Sequence, residues 1–420
     1  MSRIPLSRRT PASVPSGVWA LGFVSLLMDT SSEAIHALLP VFLTSALGVP
    51  ISAVGWLEGV SEGLASVTKA FSGAWSDRLG RRKPLVVAGY GLAALTKPLF
   101  ALATGFGLVF LARSLDRFGK GLRGAPRDAL VADLTPPGLR GASFGLRQSL
   151  DTVGAIAGPL LAFAIMALAH DDFRLVFWVA SLPALLAVVV LLLGVSEPEA
   201  SAGPSRSAPA EASRAPRAFP SWRLGARAWW VIAIAGVFTL ARFSEAFLLL
   251  RAGDLGVPLA AVPLVLVAMN ACYAASAYPA GRLSDRFGRR GLLAAGMLSL
   301  AASQLVLALA GGWSALAIGA VLWGFHMGLT QGLFSALVAD AVPPPVRGTA
   351  FGIHQLVNGA ALLAASVLAG WLWARFGPPA TFLAGAGITL AALASLGLLR
   401  LAGLLPPTRH AAPGSAARQD

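Results

Sequence analysis

The residues of this sequence that could do chemistry are ionisable side chains set inside long apolar stretches. An ionisable group at bilayer depth costs several kcal/mol (~2.5 or more) unless it is paired or wetted, so each is a candidate for function. Asp29, Glu33 and His36 stand at i, i+4 and i+7, one helical stripe, and Glu58, Glu62 and Lys69 form a second. In the stretch RSLDRFGKGLRGAPRDALVAD, Arg113, Asp116, Arg117, Lys120, Arg123 and Arg127 fall within about 120 degrees of helical arc. The other face of that stretch is Leu, Ala, Val and Gly. A strip of this kind cannot face lipid, so it lines a cavity or packs on the acidic stripes of the first two spans.

Carboxylates in such a setting bind and release protons, and neighbouring cations tune them. Asp29 and Glu33 are the first proton-carrier candidates, with Glu58 and Glu62 behind them and Arg113 as modulator. His36, Asp116, Arg117, Lys120, Arg242, Glu245, Asn270, His326 and Gln331 are candidates for a substrate cavity. Fixed, mutually neutralising pairs are the competing reading of the same residues. Glu245 mirrors Glu33 within a shared Ser-Glu-Ala triplet, and Arg147 and Asp151, one turn apart, are gate candidates beside His354 and Asn358.

Covalent chemistry lacks its parts. No G-x-S-x-G, H-E-x-x-H or phosphate loop occurs, and the single cysteine, Cys272, lies in an apolar segment, so no metal site and no cofactor are expected. Only His36, His326 and His354 speak for export of a metal or chelate.

The elements that must position these groups are transmembrane helices. The 420 residues are 56% hydrophobic and 12% charged, with a mean hydropathy of +0.71. The lipid bilayer is the expected solvent. Spans are expected near 17–45, 52–76, 84–104, 106–131, 143–169, 174–194, 229–251, 258–281, 291–311, 314–339, 349–374 and 380–404. The first is read as a retained span rather than a signal peptide. The net charge of +14 sits in loops, with Arg78, Arg81, Arg82 and Lys83 in one and Arg282, Arg286, Arg289 and Arg290 in another. No aromatic residues interleave these clusters, which argues against nucleic acid. By the positive-inside rule both termini are cytoplasmic, in a bacterial inner membrane. Residues 1–16 form an N-terminal tail, 17–196 and 228–404 two six-helix halves, 197–227 a Pro, Ala, Ser and Arg-rich linker, and 405–420 a C-terminal tail.

The halves are repeats. SDRLGRR at 76–82 recurs as SDRFGRR at 284–290, ADLTPPGLRG at 132–141 as ADAVPPPVRG at 339–348, and GVPISAV at 48–54 as GVPLAAV at 256–262. The offset is 207 or 208 throughout, which marks duplication of a six-span unit.

These repeated residues resemble the Major Facilitator Superfamily over essentially the whole chain, in particular its twelve-span bacterial drug/proton antiporter-like members. Gly73, Asp77, Arg78, Gly80, Arg81 and Arg82 match the family's G-x-x-x-D-R-x-G-R-R signature, and Gly281, Asp285, Arg286, Gly288, Arg289 and Arg290 match it again. The resemblance implies a gating role for these residues, with Arg81 pairing with Asp133 and Arg289 with Asp340. Gly145, Gly154, Gly158 and Pro159 are similar to the span-5 motif of the antiporters, without its terminal Gly-Gly. Arg113 resembles the family's span-4 arginine, tied there to proton coupling, although DRFGKGLR replaces the pattern that usually follows.

The expected fold is therefore an all-α membrane bundle of about twelve helices in two pseudo-symmetric halves. The expected function is alternating-access, proton-coupled antiport of a small organic solute out of the cytoplasm, by a monomer. Import or exchange of an organic anion or sugar-like metabolite, and a non-transporting membrane receptor, are the alternatives.

Overall fold

A bilayer offers no partner for backbone N–H and C=O groups, so long apolar runs close their hydrogen bonds internally as helices. The computed structural model describes residues 14–197, 224–330, 337–338, 341–342 and 347–401, and these fold without a strand. The long helices are α1 (Ser16–His36), α2 (Ile51–Leu79), α3 (Lys83–Leu102), α4 (Phe106–Leu134), α5 (Arg140–Leu168) and α6 (Phe173–Gly194). They continue as α7 (Ala226–Ala241), α8 (Ala246–Asp254), α9 (Leu264–Ala308), α10 (Trp313–Thr330), α11 (Arg347–Phe376) and α12 (Pro378–Leu401).

Among the described residues, ten segments are long and apolar enough to cross a membrane. The 29-residue helices α2 and α4 complete the expected twelve spans; their charged residues lower their hydropathy. Helices and spans do not coincide everywhere. α7 and α8 share one span, Ala228–Asp254, interrupted at Arg242–Glu245, and α9 contains two, Leu259–Ala280 in large part and Gly291–Ala308. The segment expected to be a loop at 282–290 is thus helical within α9. Its counterpart does turn: Gly80, with φ +63°, takes the left-handed conformation that stops α2. The repeated Gly-Val-Pro also folds alike in both copies, Gly48 at φ +63° and Gly256 at φ +73°.

The described chain divides into two compact units, one bounded by Met1–Leu38 and Val67–Ala215, the other by Leu39–Ser66 and Pro216–Asp420. In the first, apolar faces of α1, α3, α4 and α6 meet around Leu21, Val24, Met28, Tyr90, Leu130 and Leu191. One end of it is tied by Arg174, which donates to the carbonyls of Ala101 (3.3 Å) and Ala103 (3.0 Å) at the end of α3. Arg251 does the same in the second unit, donating to Leu307 (3.1 Å) and Ala310 (2.8 Å) at the end of α9 and pairing with Asp254. Orphan helix-end carbonyls in an apolar setting need such donors.

The second unit also shows why α2 changes allegiance midway. Gly55, Gly59 and Gly63 recur every four residues on one face and let α11 approach backbone to backbone. A Cβ at Gly55 would lie 2.5 Å from the Ser366 carbonyl oxygen, and one at Gly59 2.9 Å from that of Leu363. Small surfaces of this kind are what holds helices together where lipid is as apolar as the side chains.

Candidate substrate and coupling site

Among the described residues, the first unit carries most of the buried charge. α5 meets α1 through Gly154 and Gly158: a Cβ at Gly154 would lie 2.6 Å from the Leu26 carbonyl oxygen and 3.0 Å from the Asp29 Cβ. At Gly158 it would lie 2.6 Å from the Thr30 carbonyl oxygen and 2.9 Å from the Glu33 Cβ. The two motif glycines therefore fix the turn of α1 that holds both carboxylate candidates. Gly145, the first glycine of the motif, has nothing near it. Asp29 and Glu33 are half-buried, and Glu33 Oε2 lies 3.3 Å from His36 Nδ1.

α4 supplies the cations. It crosses α3 at Gly89 and Gly119, where a Cβ on either would stand 2.7 Å from the other's carbonyl oxygen. That approach lays the Arg123 guanidinium over the Tyr90 ring, 4.4 Å from its centroid. Arg127 donates to Ser25 Oγ (3.2 Å) and the Tyr90 hydroxyl (3.4 Å). Lys120 and Arg123 are charged neighbours of Asp29, and Lys120 and Arg117 of Glu33. So the span-4 strip does pack on the acidic stripe of span 1.

Deeper in the unit, Lys97 Nζ donates to Asp116 Oδ1 (2.7 Å) and Ser32 Oγ (2.9 Å), and Arg117 Nε lies 3.9 Å from Asp116. Arg113, Asp116, Arg117 and Lys97 are all fully buried. Lys97 and Tyr90 belong to this network of buried charge, although helical spacing does not single them out. A lone lysine in an apolar span was the available signal, since such a group needs a carboxylate partner.

Glu58 of span 2 is buried in the second unit, where its Oε2 accepts from Ser244 Oγ at 3.0 Å. Ser244 lies in the break between α7 and α8, beside Arg242 and Glu245, and its Oγ also accepts from the Ala246 amide. Glu62 lies one turn further along α2, half-buried. Lys69 belongs to the first unit, with its stem beside Gly124, where an added Cβ would stand 3.7 Å from it.

The gate candidates are partly paired. Arg147 bonds Asp151, and at the repeat position Asn358 Nδ2 lies 3.3 Å from His354 Nε2 while its Oδ1 accepts from Thr239 (3.0 Å). Pro159 follows Gly158 within α5. Asp133 is paired with Arg82 (2.6 Å), not with Arg81 as the resemblance implies, and Arg82 also lies 3.6 Å from Asp77. Arg81 follows the Gly80 turn and is exposed, as is Arg78, whereas Arg82 sits at the cap of α3 facing back toward α4. A Cβ at Gly73 would stand 3.4 Å from that of Ala125. Because Arg82 and Asp133 keep 28% and 45% of their side-chain exposure, Arg82→Gln is expected to cost only ~0–1 kcal/mol, read as a nearly unchanged Tm in detergent. Gln331 and Asp340, and the side chains of Asp285, Arg286 and Arg289, lie outside the described residues, while Gly281 falls within α9.

The second unit is built of rings where the first is built of charges. At the repeat offset, Arg113, Asp116, Lys120 and Arg123 of α4 become Ala320, Trp323, Met327 and Thr330 of α10. Trp323 packs on Phe243 (5.7 Å), which also meets Phe247 (5.4 Å) and Phe382 (5.6 Å). His326 is buried against Phe238, its Nδ1–H donating to the Gly296 carbonyl (2.9 Å). Asn270 lies buried on α9. Lys97 becomes Gln304, which donates to the Ala241 carbonyl at the end of α7 (2.7 Å).

A duplicated, all-helical, multi-span membrane bundle with charges held inside it defines a transporter of small molecules across a membrane. The chain belongs to the Major Facilitator Superfamily, whose family model matches residues 21–252 and 243–419. An uncharacterized MFS-type transporter of Methanocaldococcus jannaschii is 31% identical over 384 residues, covering 89% of this chain and 92% of that relative. Multidrug resistance protein MdtH of Photorhabdus laumondii is 33% identical over 162 residues, 39% of each chain. Among solved structures, the nucleoside transporter NupG superposes with a TM-score of 0.75 at 14% identity, covering 91% of this chain and 99% of that one, which is a likeness of fold.

Proposed function

We propose that this transporter couples proton movement to export of a small organic solute by alternating access. The reading includes a bacterial cytoplasmic membrane, cytoplasmic termini and a monomer. The observation that carries it is the α1–α5 crossing. Two carboxylates one turn apart, Asp29 and Glu33, keep partial exposure at membrane depth on a face shared with Lys120 and Arg123. A proton arriving on either changes the charge of that face by one unit, which is what a coupled carrier needs to favour one state over another. The direction, efflux by antiport, is supported by the likeness of Gly145, Gly154, Gly158 and Pro159 to the antiporter motif and by the partial similarity to MdtH. Gating falls to the Arg82–Asp133 and Arg147–Asp151 pairs and to His354–Asn358.

The test uses proteoliposomes loaded with a pH-sensitive dye and a panel of candidate solutes. Wild type is expected to move protons when a substrate gradient is imposed. Asp29→Asn and Glu33→Gln, and above all the double variant, are expected to lose at least about tenfold of that flux. Equal proton flux from the double variant ends the assignment.

A further inference from the structure

Around Lys69 the charged face of the first unit carries more cations than carboxylates. Among the described residues, the charged groups that act most strongly on Lys69 are Asp128, Arg127, Lys120 and Arg147. Asp128 is already engaged, its Oδ1 accepting from Arg127 at 3.2 Å and lying 3.7 Å from Arg147 Nε. Arg147 is bonded to Asp151 as well. One turn back along α4, Arg123 is buried on Tyr90 and its Nη1, sealed from water, has no hydrogen-bond partner. A buried charged donor left unmade is costly, and clustered cations at bilayer depth need compensating charge.

The geometry concentrates this deficit at one place. The Lys69 stem crosses Gly124, adjacent to Arg123 and one turn from Lys120, and both lysines are exposed. Here we propose that Lys69, Lys120 and Arg123 form a seat for an anionic group, phosphate or carboxylate, of a solute that also carries an amine. Three donors of this kind suit several oxygens at once, Arg123 offering a planar fork and the lysines point charges. Asp29 and Glu33 on the same face receive the amine. Protons taken up by the two carboxylates then displace the amine end, which is the competition that antiport requires. This inference rests on the transport reading and names its substrate class.

The experiment is titration calorimetry on the full chain in maltoside at fixed pH with no gradient, using inorganic phosphate and O-phosphoethanolamine as probes. Wild type is expected to bind both, phosphoethanolamine the more tightly by about tenfold. Lys69→Gln and Lys120→Gln are each expected to weaken phosphate by about tenfold, and the Asp29→Asn/Glu33→Gln double variant to bind the two probes equally. Repeating the titration in phosphatidylethanolamine nanodiscs separates the sources: binding that persists assigns the seat to a dissolved solute, and binding lost there assigns it to a lipid headgroup of the same chemistry. No phosphate binding by wild type in maltoside, or the same affinity in both lysine variants, overturns the seat. A carrier without proton coupling would still pass this titration and fail only the flux assay, so the two readings fall separately.

Discussion

Gly158→Val is expected to abolish transport while the protein still inserts in the membrane, and to lower Tm by several degrees. The reason is that its clash cannot be relieved by a rotamer change. A Cβ at this position would meet the Thr30 carbonyl oxygen at 2.6 Å, the Ala34 amide nitrogen at 2.8 Å and the Glu33 Cβ at 2.9 Å, two of them backbone atoms. α1 must therefore move off α5, and it carries Glu33 and Asp29 with it. Overpacking of this sort costs ~1–3 kcal/mol, more when main chain is the obstacle. Gly154→Ala, blocked by the Leu26 carbonyl at 2.6 Å, is expected to behave as a milder version, and Gly145→Ala, with open space around it, to match wild type. The comparison is made at equal abundance in proteoliposomes, with Tm measured in detergent. Gly158→Val transporting at the wild-type rate would show that the crossing does not position the carboxylates.

The outline of this fold was legible because hydropathy and duplication are properties of the chain alone. Each expected span lies within a helix to within a few residues, apart from span 1, which runs past His36 through a turn into the short helices Leu39–Val41 and Phe42–Ala46, span 7, broken at Arg242–Glu245, and span 10, whose expected end runs past the last residue of α10, Thr330. The repeated Gly-Val-Pro folds twice into the same turn because its first residue must adopt positive φ in both copies. What sequence spacing cannot give is which helix a face meets. Glu58, Glu62 and Lys69 share a stripe, yet α2 passes from one compact unit to the other between Ser66 and Val67, so Glu58 meets Ser244 while Lys69 lies on α4. Lys97 escaped notice for a related reason: it has no helical companion within its own span, and its partners, Ser32 and Asp116, come from α1 and α4. Charged strips reveal themselves by periodicity, whereas an isolated buried charge reveals itself only through tertiary contact.

Asp116→Asn is expected to be the most destabilising single change in the buried network. Asp116 sits 3% exposed between Lys97 Nζ at 2.7 Å and Arg117 Nε at 3.9 Å, with Arg113 also buried close by on the same helix face. Removing its charge leaves three cations without it, and breaking a buried pair by deleting one partner costs ~3–5 kcal/mol. Lys97→Gln is expected to cost less, because Asp116 keeps Arg117 and because a glutamine can still donate to Ser32. The second unit supports this asymmetry: at the repeat positions it has Gln304 and Trp323, so the architecture tolerates a neutral pair there, provided the surrounding arginines are absent too. Combining Lys97→Gln with Asp116→Asn should therefore recover part of the loss, giving a favourable coupling of about 1–2 kcal/mol in a double-mutant cycle. Tm and the monodisperse fraction after extraction report it. If Asp116→Asn unfolds at the wild-type temperature, then the interior around Lys97 is wet enough to screen these charges, and the carboxylate is free to serve the solute instead of the fold.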